Sequence, residues 1–284
     1  VAQHVRAIKG RIGNIEDIAQ ITRAMNAIAM TKVARMKRRL EQTRPYMAAL
    51  ESFLVDAIGR LPADVEPNPL LVETEAAGAG ILVLNADRGL CGRYKGDLNR
   101  RADELLAEAA PEGRLLAGGE KARLHFERSG VEPLRRYSRL YDVPAYDVAA
   151  RMANDLIGLY RDGEVGRIDL VYMQFVSDLR QRLVVERFLP ITAEPKANDA
   201  LSEPAASELV DEVLPTFLRG KLYEAILETK ASEDAIRRQA MKSATDNAED
   251  LLKTLTLSYN KARQQSITRE IADIIGGAEA LRGR

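Results

Sequence analysis

Tryptophan is absent from this 284-residue sequence, and aromatic residues make up only 5% of it. Cysteine occurs once, as Cys91, and histidine twice, as His4 and His125. A lone cysteine excludes an internal disulfide and any cysteine-based zinc cluster, and it fits a reducing compartment. With so few soft ligands, neither a metal site nor a cofactor is expected. Net charge is missing as well, because 42 basic residues balance 42 acidic ones. Attraction of the whole chain to nucleic acid or anionic lipid is therefore not indicated. No apolar run approaches the roughly 20 residues of a membrane span. No apolar segment near residue 1 reads as a signal peptide. The expectation is a soluble chain.

What the chain does contain is material for helices. Charged residues reach 30% and hydrophobic ones 46%, a balance that leans toward long helices over a compact aromatic core. From residue 3 to about 60, apolar side chains recur in steps of three and four. They fall at Val5, Ile8, Ile12, Ile15, Ile18, Ile21, Met25, Ile28, Val33, Met36, Leu40, Met47, Leu50 and Leu54. That pattern predicts the narrow seam of a coiled coil over residues 1–60. Pro45 is expected to kink or divide the helix. About 55 residues of helix would span roughly 80 Å.

Residues 61–76 hold three prolines and several acids and read as a connector. The pattern then changes over residues 77–190. "GILVLNA" (80–86) is a buried strand, "RRADELLAEAA" a helix, "RLLAGG" (114–119) a strand and "EKARLHFERSG" a helix. "AYDVAARMANDLIGLYRDG" is a further helix. "IDLVYMQFVS" and "QRLVVERFLP" read as strands paired through the "DLR" turn. Alternating strands and helices predict a small α/β domain with a largely parallel sheet. Residues 191–204 form a second connector.

Helical periodicity returns over residues 207–284, with a predicted seam at Ala240, Ala244, Ala248, Leu251, Leu255, Ser258, Ala262 and Gln265. Two long helices at opposite ends of the chain bury their stripes most economically by packing antiparallel. The last helix is the longer, so its tip is expected to overhang. That tip, with Ile267, Ile271, Ile274, Ile275 and Leu281, is apolar on nearly every side. An apolar overhang needs an external partner.

Several motifs carry competing readings. "NADRGLCGRYKG" (85–96) follows a strand and precedes a helix, where Gly-rich loops can cradle phosphate. It lacks both the dinucleotide and the P-loop spacing, so a tight strand-to-helix turn is favoured. Cys91 has no catalytic histidine motif beside it and reads as a small buried thiol. Carboxylates next to Lys and Arg on helix faces read as ordinary solvated pairs. "TKVARMKRR" (31–39) is either a solvated helix face or a basic collar that meets acidic segments of a protein partner. Nucleic-acid binding is disfavoured there, because no aromatics stand nearby to stack bases. In "NKARQQSITRE" (260–270), polar residues interrupt the apolar pattern. They either bond to another protein or face water. A nucleotide-dependent enzyme and a free-standing coiled-coil scaffold remain as alternative functions.

Three blocks narrow the choice. "IKGRIGNIEDIAQITRAMNAIAMTKVARMKRRLEQTRPY" (8–46), "DRGLCG" (87–92) and "AMKSATDNAEDLLKTLTLSYNKARQQSITREIADIIGGAEAL" (240–281) together resemble the gamma subunit of F-type ATP synthase. The chain departs from that family at Arg93 and Tyr94 after the central motif, at Ala27, and at Ile236-Arg237-Arg238. The family's chloroplast-type insertion with its regulatory cysteine pair is missing, which points to a bacterial type without thiol control.

The resemblance implies a long antiparallel coiled coil of the N- and C-terminal helices plus a small Rossmann-like α/β domain. It implies a non-catalytic rotor shaft inside a hexameric ring of alpha and beta subunits. The foot would stand beside the epsilon subunit and the membrane c-ring, at the cytoplasmic face of a bacterial membrane. The residues matching Met25, Lys32, Arg237, Gln264 and Thr268 would lie where shaft meets ring. Lys32, Arg35 and Arg39 would meet acidic loops of the beta subunits. Ile271, Ile274, Ile275 and Leu281 would turn in an apolar sleeve.

Overall fold

The computed structural model describes residues 2–62, 64–73, 78–142, 144–192 and 205–282, apart from the side chains of residues 2, 3, 277 and 279–282. The elements are α1 (Ala2–Gly59), β1 (Ala79–Leu84), α2 (Tyr94–Glu108), β2 (Arg114–Gly118), α3 (Glu120–Arg128), β3 (Arg135–Tyr137), α4 (Tyr146–Arg161), β4 (Arg167–Ser177), β5 (Arg180–Leu189) and α5 (Ala206–Arg282). The chain divides into two compact units, residues 29–237 and residues 1–28 with 238–284.

The unit of residues 29–237 is built on a five-stranded sheet in the order β3-β2-β1-β4-β5. All neighbours are parallel except β4 and β5, which form an antiparallel hairpin. β1 is central and buried along its whole length. Its alternate residues face two different layers, as the two-residue period of a strand requires. Leu82 and Leu84 point into a cluster with α4 and with Met47, Leu54, Leu214 and Leu218 of the two long helices. Ile81 and Val83 point the other way, onto Tyr94, Leu98 and Ala102 of α2 and Phe126 of α3. Burial on both faces explains why β1 reads as a continuous apolar run. The short β3 and a single 3-10 turn at Pro69–Leu71 were not foreseen in the sequence. At Gly119 φ is +94°, and a Cβ would lie 2.1 Å from the Asn85 carbonyl oxygen. Only glycine fits that corner between β2 and α3.

Pro45 does not divide α1, which runs on to Gly59 as one helix. The proline removes one donor from the helical ladder. Flanking seam residues Leu40, Met47 and Leu54 are buried in the core and hold the turn around it.

In the unit of residues 1–28 and 238–284, the two long helices run antiparallel. Thr22 and Thr245 share a hydroxyl hydrogen bond of 2.8 Å, and Arg23 meets Glu249 at 2.6 Å. Earlier in α1, Arg11, Asn14 and Ile15 line a groove with Leu251 and Leu255. One series of buried or half-buried positions runs Val5, Ile8, Ile12, Ile15, Ala19, Thr22 and Asn26 along α1, flanked by half-buried Gly13 and Met25. Another runs Met241, Thr245, Ala248, Leu252, Leu255, Tyr259, Ala262 and Ser266 along α5, flanked by half-buried Arg238, Ala240 and Ala244. Both series alternate steps of three and four, the heptad of a coiled coil.

This seam corrects the predicted one by a single residue in places. Ile18, Ile21 and Ile28 are exposed, and Ala19, Thr22 and Ala29 are buried instead. Repeated steps of three rotate a helical stripe by about 60° each, so the apolar series drifts off the contact line. On α5, Ala248, Leu255 and Ala262 keep their predicted places and Ala240 and Ala244 are half-buried, while Ser258 and Gln265 are exposed and Leu251 is 44% exposed.

Candidate functional site

The central motif packs against α5 within the larger unit, and each of its residues has a place there. Asp87 Oδ1 accepts the Glu120 N–H at 3.0 Å, satisfying a donor at the start of α3. Burial raises the Asp87 carboxyl above its ordinary range, against the pull of that hydrogen bond. Arg88 pairs with Asp142 at the surface. The Gly89 carbonyl accepts Arg237 Nη2 at 3.3 Å. Leu90 and Gly92 adopt positive φ, and a Cβ on Gly92 would touch Ile236 at 3.5 Å. Cys91 is buried, and its thiol reaches toward the Arg88 carbonyl at 3.8 Å. Burial, then the nearby Glu233 charge, pushes the Cys91 thiol up. The Gly-rich loop is thus a turn packed on a helix.

The helix it holds is unusual. From Ala225 to Ala235 α5 is buried on every side, although this stretch contains Glu228, Thr229, Lys230, Ser232, Glu233 and Asp234. Lys230 pairs with Glu233 and with Asp234, each at 3.2 Å. Arg237 donates to Asp234 at 2.6 Å and also to Glu233. Burial disfavours the Arg237 charge, but Glu233 and Asp234 outweigh it and raise the guanidinium pKa. Burial lifts the Asp234 carboxyl against the pull of Lys230. The sequence shows these groups at i, i+3 and i+4, the same spacing as a solvated ion-pair face. Reading them as solvated was wrong for this stretch, and the flanking small apolar residues Ala231 and Ala235 are the signal that could have shown it.

The proposed partner-facing residues fall into different environments. Arg237 is only 9% exposed and engaged in the internal network. Met25 and Lys32 are half-buried, and Arg35 is exposed. Arg39 is half-buried and donates to the Pro144 carbonyl at 2.7 Å. Gln264 and Thr268 are exposed. Ile271 and Ile275 are exposed, and Ile274 is 72% exposed. Leu281 has a side chain outside the described residues. A second apolar surface, not singled out from sequence, is the stripe of Ile18, Ile21 and Ile28 on α1. Its residues recur at i, i+3 and i+10 and share one face. Among the described residues, no group of three or more His, Cys, Asp or Glu is arranged to hold a metal ion, and no helix is long and apolar enough to cross a membrane.

A family profile described as ATP synthase matches residues 4–281. The ATP synthase gamma chain of Moorella thermoacetica is 37% identical, over 98% of this chain and 99% of its own length. That of Mycolicibacterium smegmatis is also 37% identical, over 100% of this chain and 99% of its own. Among solved structures, a chain of the Euglena gracilis mitochondrial ATP synthase, described as OSCP/F1/c-ring in rotational state 3, aligns over 99% of this chain and 95% of its own with a TM-score of 0.69. A chain of the rotor of the same complex in rotational state 1 aligns with a TM-score of 0.67 over 94% of this chain and 100% of its own. Sequence identity to these two is 19% and 17%, so the likeness speaks for a shared fold.

Proposed function

We propose that the chain, which belongs to the gamma-chain family of ATP synthase, works as the non-catalytic central-stalk rotor shaft of a bacterial enzyme. The ring of alpha and beta subunits surrounds the helical pair. The foot, beside the epsilon subunit and the membrane c-ring, carries ion-driven rotation to the shaft. The chain is peripheral to the membrane through the complex, on its cytoplasmic face. The family match along nearly the whole length carries this reading. The exposed apolar stripe of Ile18, Ile21 and Ile28 and the exposed apolar tip support it, because isolated helices rarely leave such faces in water.

The shaft lacks three-fold symmetry, whereas the three catalytic sites of the ring are chemically alike. Each shaft angle presents different faces to the three beta subunits and biases their conformations differently. A subunit that interacts unequally with open and closed states shifts the population between them, and no bond chemistry is needed from it. Met25, Lys32, Arg35 and Arg39 on α1 and Gln264, Thr268, Ile271 and Ile275 on α5 meet the ring. Arg237 contributes from within its buried network.

Purification of the tagged chain from its native membrane tests the reading. The chain is expected to bring down a ring ATPase and a membrane rotor ring, and a bead fixed to it should turn during ATP hydrolysis. Recovery of the chain alone, or hydrolysis by the complex without rotation, would overturn it.

A further inference from the structure

Three residues of the buried stretch of α5, and Arg237 just beyond it, bond to the rest of the larger unit. Glu228 Oε2 accepts the Phe175 N–H at 2.6 Å, and Oε1 accepts Arg44 Nη2 at 2.6 Å. The same guanidinium donates to the Phe175 carbonyl at 2.8 Å. Both backbone polar groups of one β4 residue are therefore held by side chains of α1 and α5. Phe175 sits where the β4–β5 ladder becomes irregular. Its ring is buried among Val33, Met36 and Leu40 of α1 and Leu227, Ala231 and Ala235 of α5. Four residues beyond Glu228, Ser232 Oγ donates to the Met173 carbonyl at 3.0 Å. Four helical residues rise about 6 Å and two strand residues about 6.7 Å, so this pair sets where α5 lies along β4.

Two further bonds hold other sides of the helix. Tyr94 Oη donates to the Thr229 carbonyl at 3.2 Å, and Arg237 donates to Gly89 as described. At 3.6 residues per turn, positions 228, 232, 229 and 237 lie at about 0°, 40°, 100° and 180° around α5. Apolar contact is non-directional and by itself tolerates a helix turning in its socket. Hydrogen bonds spread over half the circumference do not.

We propose that Glu228 is the positioning residue that keys α5 to the sheet, so that torque entering the α/β part turns the long helix and does not slip past it. This rests on the central-stalk reading and adds to it the point at which rotation is handed to the shaft. Within the joint, Glu228 alone bonds both to the β4 backbone and to α1. Its side chain is 3% exposed, so the charge-assisted bond to the Phe175 amide is shielded from water, whereas Arg44 on the other side is 45% exposed and that ion pair lies at the edge of the joint.

The test uses the assembled complex in sealed vesicles, with ATP hydrolysis and ion transport followed together while an opposing ion gradient is raised. Glu228→Gln keeps an acceptor for the Phe175 amide and loses the charge facing Arg44. Glu228→Leu fills the space and keeps neither. Ser232→Ala removes the axial stop. Loss of a charge-assisted hydrogen bond is expected to raise the rate of slip about tenfold or more. Ions moved per ATP should match wild type without load and fall as load grows, with Leu worse than Gln. A ratio equal to wild type at every load in the Leu variant would overturn the proposal, as would transport and hydrolysis falling in fixed proportion. Should the Leu variant fail to assemble, the Gln and Ser232→Ala variants are judged by the same load dependence, and a flat ratio in both overturns it. Lack of coupling in the wild-type complex would instead refute the stalk reading itself.

Discussion

Glu224 lines a pocket with three other carboxylates, Glu51, Glu186 and Glu228. Burial, then the charges of Glu228, Glu186 and Glu51, raise its pKa from 4.5 to about 7, with Arg44 pulling the other way. The folded chain therefore keeps a proton on Glu224 that the unfolded chain has shed between pH 4.5 and 7. Stability falls as pH rises through that window, by about 1–2 kcal/mol once solvent screening at a part-exposed group is allowed for. Glu224→Gln should match wild type near pH 5 and exceed it near pH 8 in urea unfolding of the purified chain. An unchanged difference at the two pH values would show that Glu224 titrates normally. Cys91 gives a second test at this scale. The thiol is buried and held protonated, so a thiol reagent should react with it only after denaturation. Cys91→Ser should support coupled ATP synthesis close to wild type, whereas loss of synthesis in an assembled complex would point to a chemical role. The buried thiol was legible in the sequence because no partner for chemistry stood near it. The buried network of Lys230, Glu233, Asp234 and Arg237 was not, because spacing along one helix cannot distinguish solvent from a covering sheet and loop.

Among the elements, those whose burial follows from their own composition were the ones that could be read directly. β1 is apolar throughout and central, and the β4–β5 hairpin turns where "DLR" interrupts two strand patterns. β3 has three residues and no apolar run, and it exists because β2 offers it a ladder. The helical seams show a different limit. Ala, Ser and Thr dominate α5 near residue 245, so hydrophobicity barely separates one helical face from the next. The heptad observed there makes a sharp prediction for neighbours of like chemistry. Leu252 is half-buried on the seam and Leu251 is 44% exposed beside it. Leu252→Asp should destabilise the chain by about 2 kcal/mol or more, because a charge enters the helix contact. Leu251→Asp should stay within about 1 kcal/mol. Thermal unfolding of the two variants checks this, and equal losses would return the seam to the register read from apolar spacing.

At the scale of the whole molecule, charge and packing compete as sources of torque. Residues 1–50 carry ten Lys and Arg against three Asp and Glu. Lys32, Arg35 and Arg39 recur at i, i+3 and i+7 on one face of α1. Their environments differ: Arg35 is exposed, Lys32 is half-buried, and Arg39 is tied to the Pro144 carbonyl. Exposed ion pairs are worth about 0–1 kcal/mol each and weaken with salt. The exposed isoleucines of α1 and of the α5 tip offer far more area to a surrounding ring. Changing all three basic residues to Ala should therefore leave rotation measurable and alter its rate modestly. A lowered thermal stability is expected alongside, from loss of the Arg39 hydrogen bond. Changing all three to Glu should harm rotation more, because acidic loops of the ring would then face like charges in a confined space. Rotation of single assembled complexes under viscous load separates these outcomes. If the Ala variant assembles and yet develops almost no torque, the collar couples shaft to ring by charge, and the apolar stripe serves only to keep the shaft in its bearing.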